Sequence, residues 1–244
     1  RQCKDALSLL REEGFLNLRI HKQVLLPELN SAIQAGDYFG RGDEWINTGG
    51  VKIFSDGALG PRTAAMLEPY EHSKNTGILL ISSDELYEIG RKAVDTSLPI
   101  AVHAIGDLAN RTVINALERI RLYERQTRKK LLRHRIEHVQ TIHPDELARL
   151  RALKIIASVQ PYHAISDMKM AIEHLGDRCE YAYAYGKLLN NNIKMIFGSD
   201  APVELPNPFD AIYAASERKQ PDGFPSTYGW YPENKITATQ AIKS

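Results

Sequence analysis

The sequence Leu98-Pro-Ile-Ala-Val-His103-Ala-Ile-Gly-Asp107 is a short apolar run that leads into a histidine. Three other apolar segments also contain or lead into a residue that can bind a metal. They are Val51-Lys52-Ile-Phe54, Arg135-Ile-Glu-His138-Val-Gln140 and Lys194-Met-Ile-Phe-Gly-Ser-Asp200. Short apolar runs that alternate with helical stretches predict buried parallel strands. In an α/β barrel the carboxyl ends of such strands converge on one mouth, so polar residues there can share a metal site.

The composition is ordinary for a soluble globular domain, with 43% hydrophobic and 25% charged residues in 244. A net charge of +1, from 31 basic and 30 acidic residues, gives no electrostatic case for binding nucleic acid. The basic run from Arg125 to Arg135 is interpreted as a solvated helix end and its loop. No apolar run approaches the ~20 residues of a membrane helix, so we expect no membrane association.

Linker composition and cysteine usage bear on domain organisation and cellular compartment. No stretch resembles a linker, so we expect residues 1–244 to form a single, partial barrel domain. Cys3 and Cys179 form no CxxC pair, which argues against a disulfide framework or a zinc ribbon and favours the cytoplasm. The expected partner is a small-molecule substrate, and assembly of identical copies is compatible with the sequence.

Helix and strand patterns alternate along the whole chain, which predicts an α/β fold. Six strands are predicted, near residues 15–25, 47–55, 98–103, 132–140, 155–160 and 193–198. Ser83 is expected to cap a helix over 84–96, and Asn207-Pro208 to begin one that reaches about residue 218. A closed (β/α)8 TIM barrel has eight strands, so we expect an incomplete barrel of about six. The chain starts and stops on helical patterns, which suggests truncation at both ends.

His103, His138 and Asp200 are the candidate metal ligands that follow strands. The two histidines are separated by about one strand, helix and return, so they should occupy equivalent points on adjacent strands. Imidazole is a common ligand of divalent metals, although a single histidine is more often a hydrogen-bonded core residue. A carboxylate at the end of a buried strand needs a compensating partner, but Asp200 could equally form a turn or cap a helix.

Lys52 is unusual because an ammonium group within an apolar strand is costly unless it is paired or neutralised. One solution is a depressed pKa and reaction with carbon dioxide to give a carbamate, whose two oxygens can bridge metal ions. The simpler alternative, favoured by this segment alone, is an ion pair with Asp56 or Glu137.

A competing motif overlaps the third strand-end segment, since His134-Arg-Ile-Glu137-His138 matches the H-x-x-E-H pattern of a class of zinc peptidases. That pattern requires a helix, on which both histidines share one face. In a strand the two side chains are too far apart along the axis to bind one ion. The apolar residues around the motif favour a strand, so the zinc-peptidase interpretation ranks second.

Together these segments resemble the amidohydrolase superfamily, and within it the metal-dependent hydrolases related to N-substituted formamide deformylase. The resemblance runs from about residue 15 to the end of the chain. It is carried by the residues around Lys52, His103, His138 and Asp200, by Gly-Pro-Arg62-Thr, and by Ser-Val-Gln-Pro-Tyr-His163. It implies a (β/α)8 barrel in which Lys52, often carboxylated in the family, bridges metal ions. It also implies that His103, His138 and Asp200 bind metal.

The resemblance further implies hydrolysis of a carbon–nitrogen bond in an amide, formamide or cyclic amide. One or two divalent ions, expected to be zinc, would activate water and polarise the carbonyl. Asp200 would accept the proton of the attacking water, and His163 and Arg62 are weaker candidates for substrate contact. The H-x-H pair that such enzymes carry after their first barrel strand is absent from this sequence. The alternative to an active hydrolase is therefore that this chain holds only half of the metal site and is a catalytically incompetent barrel fragment.

Overall fold

Six parallel strands form one sheet in the computed structural model, which describes residues 2–244. The strands are β1 Ile20–Leu25, β2 Ile46–Phe54, β3 Ile100–Ala104, β4 Arg135–His138, β5 Ile156–Val159 and β6 Met195–Phe197. Their order in the sheet is their order in the sequence, and every pair is parallel. Consecutive strand–helix units in this order are those of a TIM barrel, so the prediction of an incomplete (β/α)8 fold is confirmed.

Ten α-helices occur in the described part of the chain. They are α1 Gln2–Glu12, α2 Leu29–Gln34, α3 Ser83–Asp95, α4 Asp107–Gln126, α5 Pro144–Leu153, α6 His163–Ser166, α7 Met168–Leu175, α8 Tyr185–Asn190, α9 Pro208–Glu217 and α10 Ala238–Ile242. Short 3-10 turns cover Leu26–Glu28, Gly176–Tyr181 and Pro232–Asn234. Within residues 2–244, no helix combines the length and apolar character needed to cross a bilayer.

Capping residues set the helix boundaries, and one predicted cap was wrong by a residue. Ser82, not Ser83, caps α3: its side chain accepts from the Glu85 N–H, and the Glu85 carboxylate accepts from the Ser82 N–H. This reciprocal arrangement satisfies two N–H groups that a helix end leaves free. Asn207 caps α9, with Pro208 in the first turn, as predicted.

Other differences from the predictions come from local backbone geometry. The extended segment forms a strand only from Ile20, and the six-residue helix α2 was not predicted. The spacing of Tyr181, Tyr183 and Tyr185 predicts one partly buried helix surface. They do not share one, because Tyr183 takes a positive φ of 50° and α8 begins at Tyr185. A left-handed residue interrupts a helix, and such residues are not recognisable from the pattern of apolar positions.

One face of the sheet packs against the helices and forms the core. Val51 and Ile53 of β2 alternate with Lys52 and Phe54, so every second side chain is buried against helices such as α3 and α4. Each buried aliphatic side chain contributes roughly 1.5–3 kcal/mol. α3 and α4 approach closely at Gly90, where an added Cβ would lie 2.2 Å from Cδ1 of Ile120.

The other face of the sheet is polar and partly open to solvent. It carries Lys52 of β2, His103 of β3, and Arg135 and Glu137 of β4, with Phe54 left 54% exposed. In a closed barrel this face would line the interior. With six strands it forms an open concave surface, and its carboxyl edge is where the predicted site residues lie.

Candidate metal centre at the strand ends

His103 and His138 come together because β3 and β4 are hydrogen-bonded neighbours. His103 pairs in register with Glu137, and Ala104 pairs with His138, so both histidines stand at the carboxyl end of the sheet. Their ring centroids are 4.6 Å apart and their planes lie at 73°. The strand pairing therefore brings the two imidazoles together at the carboxyl ends of adjacent strands, offset by one residue in register.

A neighbouring carbonyl fixes the orientation of the His103 ring. Nε2 lies 2.9 Å from the Gly57 carbonyl oxygen and 3.4 Å from Oδ1 of Asp56. Because both of those atoms accept hydrogen bonds, the ring proton belongs on Nε2 and the lone pair on Nδ1 is available. Burial lowers the pKa of His103, with a further lowering by the charge of Lys52, although the Gly57 bond opposes both. The ring is thus held neutral, which is the form that binds metals.

His138 has a buried ring nitrogen that lacks a partner. No described residue hydrogen-bonds to its Nδ1. Burial, together with the charges of His103, Lys52 and His163, lowers the pKa of His138 to about 3, so this ring is also neutral. The backbone is unusual here, since His138 and Val139 have φ of 77° and 45°. Such conformations are rare for β-branched residues and persist where the surrounding structure enforces them, often at functional sites.

Asp56 joins the loop after β2 to the end of β3, a role that the sequence interpretation missed. Its carboxylate accepts from the N–H groups of Ala65, Ile105 and Gly106 at 2.8–3.1 Å. Burial raises the pKa of Asp56 to about 6, and these three bonds act in the opposite direction. A Cβ at Gly106 would come within 1.9 Å of the Ala65 oxygen, so glycine allows the loop to pass. The only signal for this role was the nearness of Asp56 to Lys52.

Lys52 lies on the same concave face, without a carboxylate partner among residues 2–244. The ion pair with Asp56 or Glu137 is not formed, because Asp56 binds backbone N–H groups and Glu137 binds Nε of Arg135 at 2.5 Å. Instead, the Lys52 Nζ lies 4.8 Å from the centroid of the Phe54 ring. Burial lowers the pKa of Lys52, while the charges of Glu137 and Asp200 raise it. A neutral amine is the form that reacts with carbon dioxide.

Asp200 follows β6, the last strand of the sheet. It is exposed and has a φ of 58°. Its charge raises the pKa values of both Lys52 and His103, so its carboxylate acts on the same surface. His163 begins α6, and its ring stacks 6.3 Å from that of His138 at 13°. His163 is buried, and its Nε2 is also without a partner in the described structure.

Arg62 lies apart from these groups. Its Nε donates to Nδ1 of His174 at 3.3 Å, and its Nη2 lies 3.3 Å from Oε1 of Glu173, both on α7. None of its described hydrogen bonds reaches Lys52, His103 or His138. The structure therefore places Arg62 as an anchor between the loop after β2 and α7.

The H-x-x-E-H interpretation fails because the motif forms a strand. His134 precedes β4 and His138 ends it, so about 13 Å of strand separates them at ~3.3 Å per residue. His134 is fully buried: its Nδ1 accepts from the Ile100 N–H at 3.0 Å, and its Nε2 bonds to Glu124 at 3.2 Å. Both ring nitrogens are occupied, and neither is available to a metal.

A cavity of about 420 Å³ lies beside the strand ends but does not include the candidate ligands. Its two arginines are already engaged: Arg111 with Glu146 at 2.6 Å, and Arg178 with the carbonyl oxygen of Glu68 at 3.0 Å. The open concave face, where the ring nitrogens are free, is therefore the better candidate for chemistry.

A family comparison decides the classification. The model of the family described as "Amidohydrolase family" matches residues 5–244. The chain belongs to this amidohydrolase family.

Relatives of this amidohydrolase chain are much longer proteins. It is 37% identical over 177 residues to "Putative amidohydrolase YtcJ" of Bacillus subtilis (strain 168), covering 72% of this chain and 32% of that protein. It is 34% identical over 202 residues to "Protein LONG AFTER FAR-RED 3" of Arabidopsis thaliana, covering 82% of this chain and 34% of the other. The chain therefore spans about a third of the length of these curated relatives.

A solved structure shares the fold across nearly the whole amidohydrolase chain. This is an uncharacterized metal-dependent hydrolase from Pyrococcus horikoshii OT3, with 29% sequence identity and a TM-score of 0.85. The match covers 99% of this chain and 47% of the archaeal chain. This chain therefore shares its TIM-barrel fold with a metal-dependent hydrolase.

The residues at the strand ends fit part of a metal site. Within residues 2–244, no three His, Cys, Asp or Glu side chains lie close enough together to hold an ion. The donors that do lie together are the neutral imidazoles of His103 and His138. Nδ1 of His103 is free because the ring proton is on Nε2, and Nδ1 of His138 has no hydrogen-bond partner in the described chain. The hydrogen bond from His103 to Gly57 also matches the rule that a ligating histidine donates its other N–H to a carbonyl or carboxylate.

Proposed function

We propose that the protein carrying this amidohydrolase chain hydrolyses carbon–nitrogen bonds other than peptide bonds, in an amide, formamide or cyclic amide. The observation that carries the proposal is the pair His103 and His138, two neutral imidazoles 4.6 Å apart with free ring nitrogens. Metal-dependent hydrolysis is the chemistry that such a pair serves at the mouth of a TIM barrel. A relation to formamide deformylases remains a finer proposal within the family.

His103 and His138 would hold a divalent metal, for which zinc is our proposal because imidazole nitrogen is one of its preferred donors. Lys52 would join them once carboxylated, since its lowered pKa favours the neutral amine and its carbamate would offer two oxygens. A bound ion would act as a Lewis acid that polarises the substrate carbonyl and acidifies water. Whether one or two ions bind depends on whether Lys52 is carboxylated, because its carbamate would bridge a pair of ions.

We assign the proton transfer to Asp200. Its carboxylate is exposed after β6, and its charge influences Lys52 and His103. It would accept a proton from the attacking water and return it to the leaving nitrogen. His163, whose Nε2 has no partner in the described structure and whose ring stacks on that of His138, would orient the substrate carbonyl. Arg62 would support this face only indirectly, through α7.

A second candidate has one observation in its favour. No cluster of three His, Cys, Asp or Glu ligands exists in the described chain, so this segment could act as a barrel scaffold without catalysis of its own.

The expected compartment remains the cytoplasm, where the two free cysteines would stay reduced: Cys3 is exposed and Cys179 is buried.

The test compares metal content and amide hydrolysis in the purified protein and in Asp200→Asn. Metal analysis should find zinc in both proteins. Turnover of a panel of amides, formamides and cyclic amides should fall about 10²–10⁴-fold in the variant, because general acid–base catalysis contributes that much. Asp177→Asn, at an exposed position in a 3-10 turn, is the matched control and should leave turnover unchanged.

Two outcomes would contradict the proposal. Equal turnover in Asp200→Asn and the native protein would remove the proton role of Asp200. The absence of both metal and hydrolysis in the native protein would favour the scaffold.

A further inference from the structure

A second cavity lies at the opposite end of the sheet from the candidate metal centre. Its volume is about 240 Å³, and it opens where β4, β5 and β6 begin and α5 ends. We call it the basic cavity because four cationic side chains surround it. Its lining is Arg133, Arg151, Lys154 and Lys194, with Asn192, Leu150, Ile155, Ile156 and Ile193.

The four cations of the basic cavity have no carboxylate neighbours. None of them forms an ion pair with a described residue, and no acidic side chain lines the cavity. Elsewhere in the chain basic groups are commonly paired, as Arg121 is with Glu124 and Arg149 with Glu118. Since the whole chain has 31 basic and 30 acidic residues, four unpaired cations around one cavity are a local imbalance. All four side chains are exposed, so solvent screens much of their mutual repulsion, and an anion between them would relieve the remainder.

The helix dipole accounts for only part of this imbalance. Arg151 lies in the last turn of α5 and Lys154 caps it, a place where cations are favoured. Arg133 and Lys194 lie instead just before β4 and β6, outside any helix. The cations therefore come from three separate elements and converge on one cavity.

The backbone at Lys154 is well defined. Lys154 ends α5 in the left-handed conformation, with a φ of 52°, as Arg218 ends α9. The neighbouring backbone is fixed, because Ile155 donates to Leu150 and Ala157 donates to the carbonyl of Lys194. The cationic side chains thus extend from a rigid rim.

We propose that the basic cavity binds a small molecule that carries a phosphate group. A phosphate concentrates charge and acceptor oxygens in a compact group, which matches two guanidinium and two ammonium groups around one opening. The volume, below the roughly 300–1,000 Å³ of pockets for drug-sized ligands, limits the ligand to a small phosphate ester or a diphosphate. Ile155, Ile156 and Ile193 would contact the apolar part of an ester. The site is independent of the proposed hydrolysis.

The experiment measures binding of inorganic pyrophosphate by titration calorimetry, at ionic strength matched with sodium chloride. The native protein should bind one pyrophosphate, and Lys154→Gln with Lys194→Gln should weaken its Kd at least tenfold. Arg substitutions at the same two positions should restore binding, because they keep the charge. The control pair is Lys74→Gln with Lys243→Gln, which removes the same charge from exposed positions outside the cavity.

The cavity variant also tests for binding at the metal centre, because pyrophosphate that coordinates a metal there would not be weakened by Lys154→Gln with Lys194→Gln. A tenfold loss in the cavity variant, with less than a twofold change in the control pair, supports the basic cavity. The proposal is overturned if the native protein does not bind pyrophosphate, or if the two glutamine pairs weaken binding equally. Circular dichroism of both pairs establishes that they are folded.

Discussion

The histidines before and at the end of β4 differ in how their ring nitrogens are bonded. His134, at the start, is fully buried and uses both ring nitrogens in hydrogen bonds, to the Ile100 N–H and to Glu124. His138, at the end, has a buried Nδ1 with no partner in the described chain and stands on a left-handed backbone. Both ring nitrogens of His134 are therefore hydrogen-bonded, whereas Nδ1 of His138 is left available to a ligand.

The contrast shows how position along a barrel strand separates stability from function. Loops and strand ends at the carboxyl edge hold the chemistry of TIM barrels, whereas the amino edge contributes to stability. An unsatisfied buried polar atom is costly, so its persistence at His138 is best explained by a ligand that it would bind. His134 needs no such explanation.

The largest expected effect is on activity, from His138→Asn. Asparagine tolerates the left-handed backbone at this position, so the fold should be retained. Removal of one imidazole should reduce kcat/KM for amide hydrolysis by at least about 10³-fold, equivalent to ~4 kcal/mol, and should lower the metal content. The exposed His72, changed to Asn, is the control. Full metal content and turnover in His138→Asn would exclude this residue as a ligand.

The next effect is on stability, from His134→Ala. This change creates a cavity and leaves the Glu124 carboxylate and the Ile100 N–H without a partner, at a cost of about 3 kcal/mol. Tm should fall by roughly 6–12 °C in a domain of this size. Metal content per folded molecule should not change. If His134→Ala lost metal while His103→Ala kept it, the zinc-peptidase interpretation would regain its place.

The smallest effect is a change in pH dependence. Burial lowers the pKa of His134 below 6.5, although the hydrogen bond to Glu124 opposes this. Below pH 6.5 the unfolded chain therefore takes up a proton that folded His134 does not, so the free energy of unfolding decreases as the pH falls. One such group contributes up to about 1.4 kcal/mol per pH unit.

His134→Gln should remove this contribution and make stability less dependent on pH between 6.5 and 4.5. Below pH 4.5 the protein loses further stability as Glu124 is protonated. Burial raises the pKa of this carboxyl, but its hydrogen bonds with His134 and Leu132 outweigh burial and lower the pKa. Urea unfolding at half-unit intervals of pH measures both ranges. His72→Gln should retain the native slope, and an unchanged slope in His134→Gln would show that the ring is protonated in the folded state.

Most of the fold could be predicted because strand and helix patterns depend on local sequence. The strands around His103, His138 and Asp200 are apolar runs bounded by turn residues, and the Asn207-Pro208 cap is a local signal. The tyrosines from 181 to 185 could not be placed, because the left-handed conformation of Tyr183 depends on its tertiary contacts. Strand pairing then set the distances between residues far apart in sequence.

The site could be predicted as a set of residue types, but not as a set of contacts. Sequence indicated Lys52 as a charge in a strand, yet only the structure shows that it lies against Phe54 without a carboxylate partner. The role of Asp56 was missed because its partners are backbone N–H groups, which no side-chain motif reveals. Arg62 was grouped with the site by resemblance, whereas its contacts are with α7.

The sequential order of the six strands has a consequence for synthesis on the ribosome. Each strand pairs only with its neighbours in sequence, so every new strand–helix unit can dock on the one before it without waiting for a distant segment. A growing sheet of this kind buries its helix-packed face first. The charged concave face, with Lys52, Arg135 and Glu137, stays hydrated during that time, which would discourage nascent chains from associating through it.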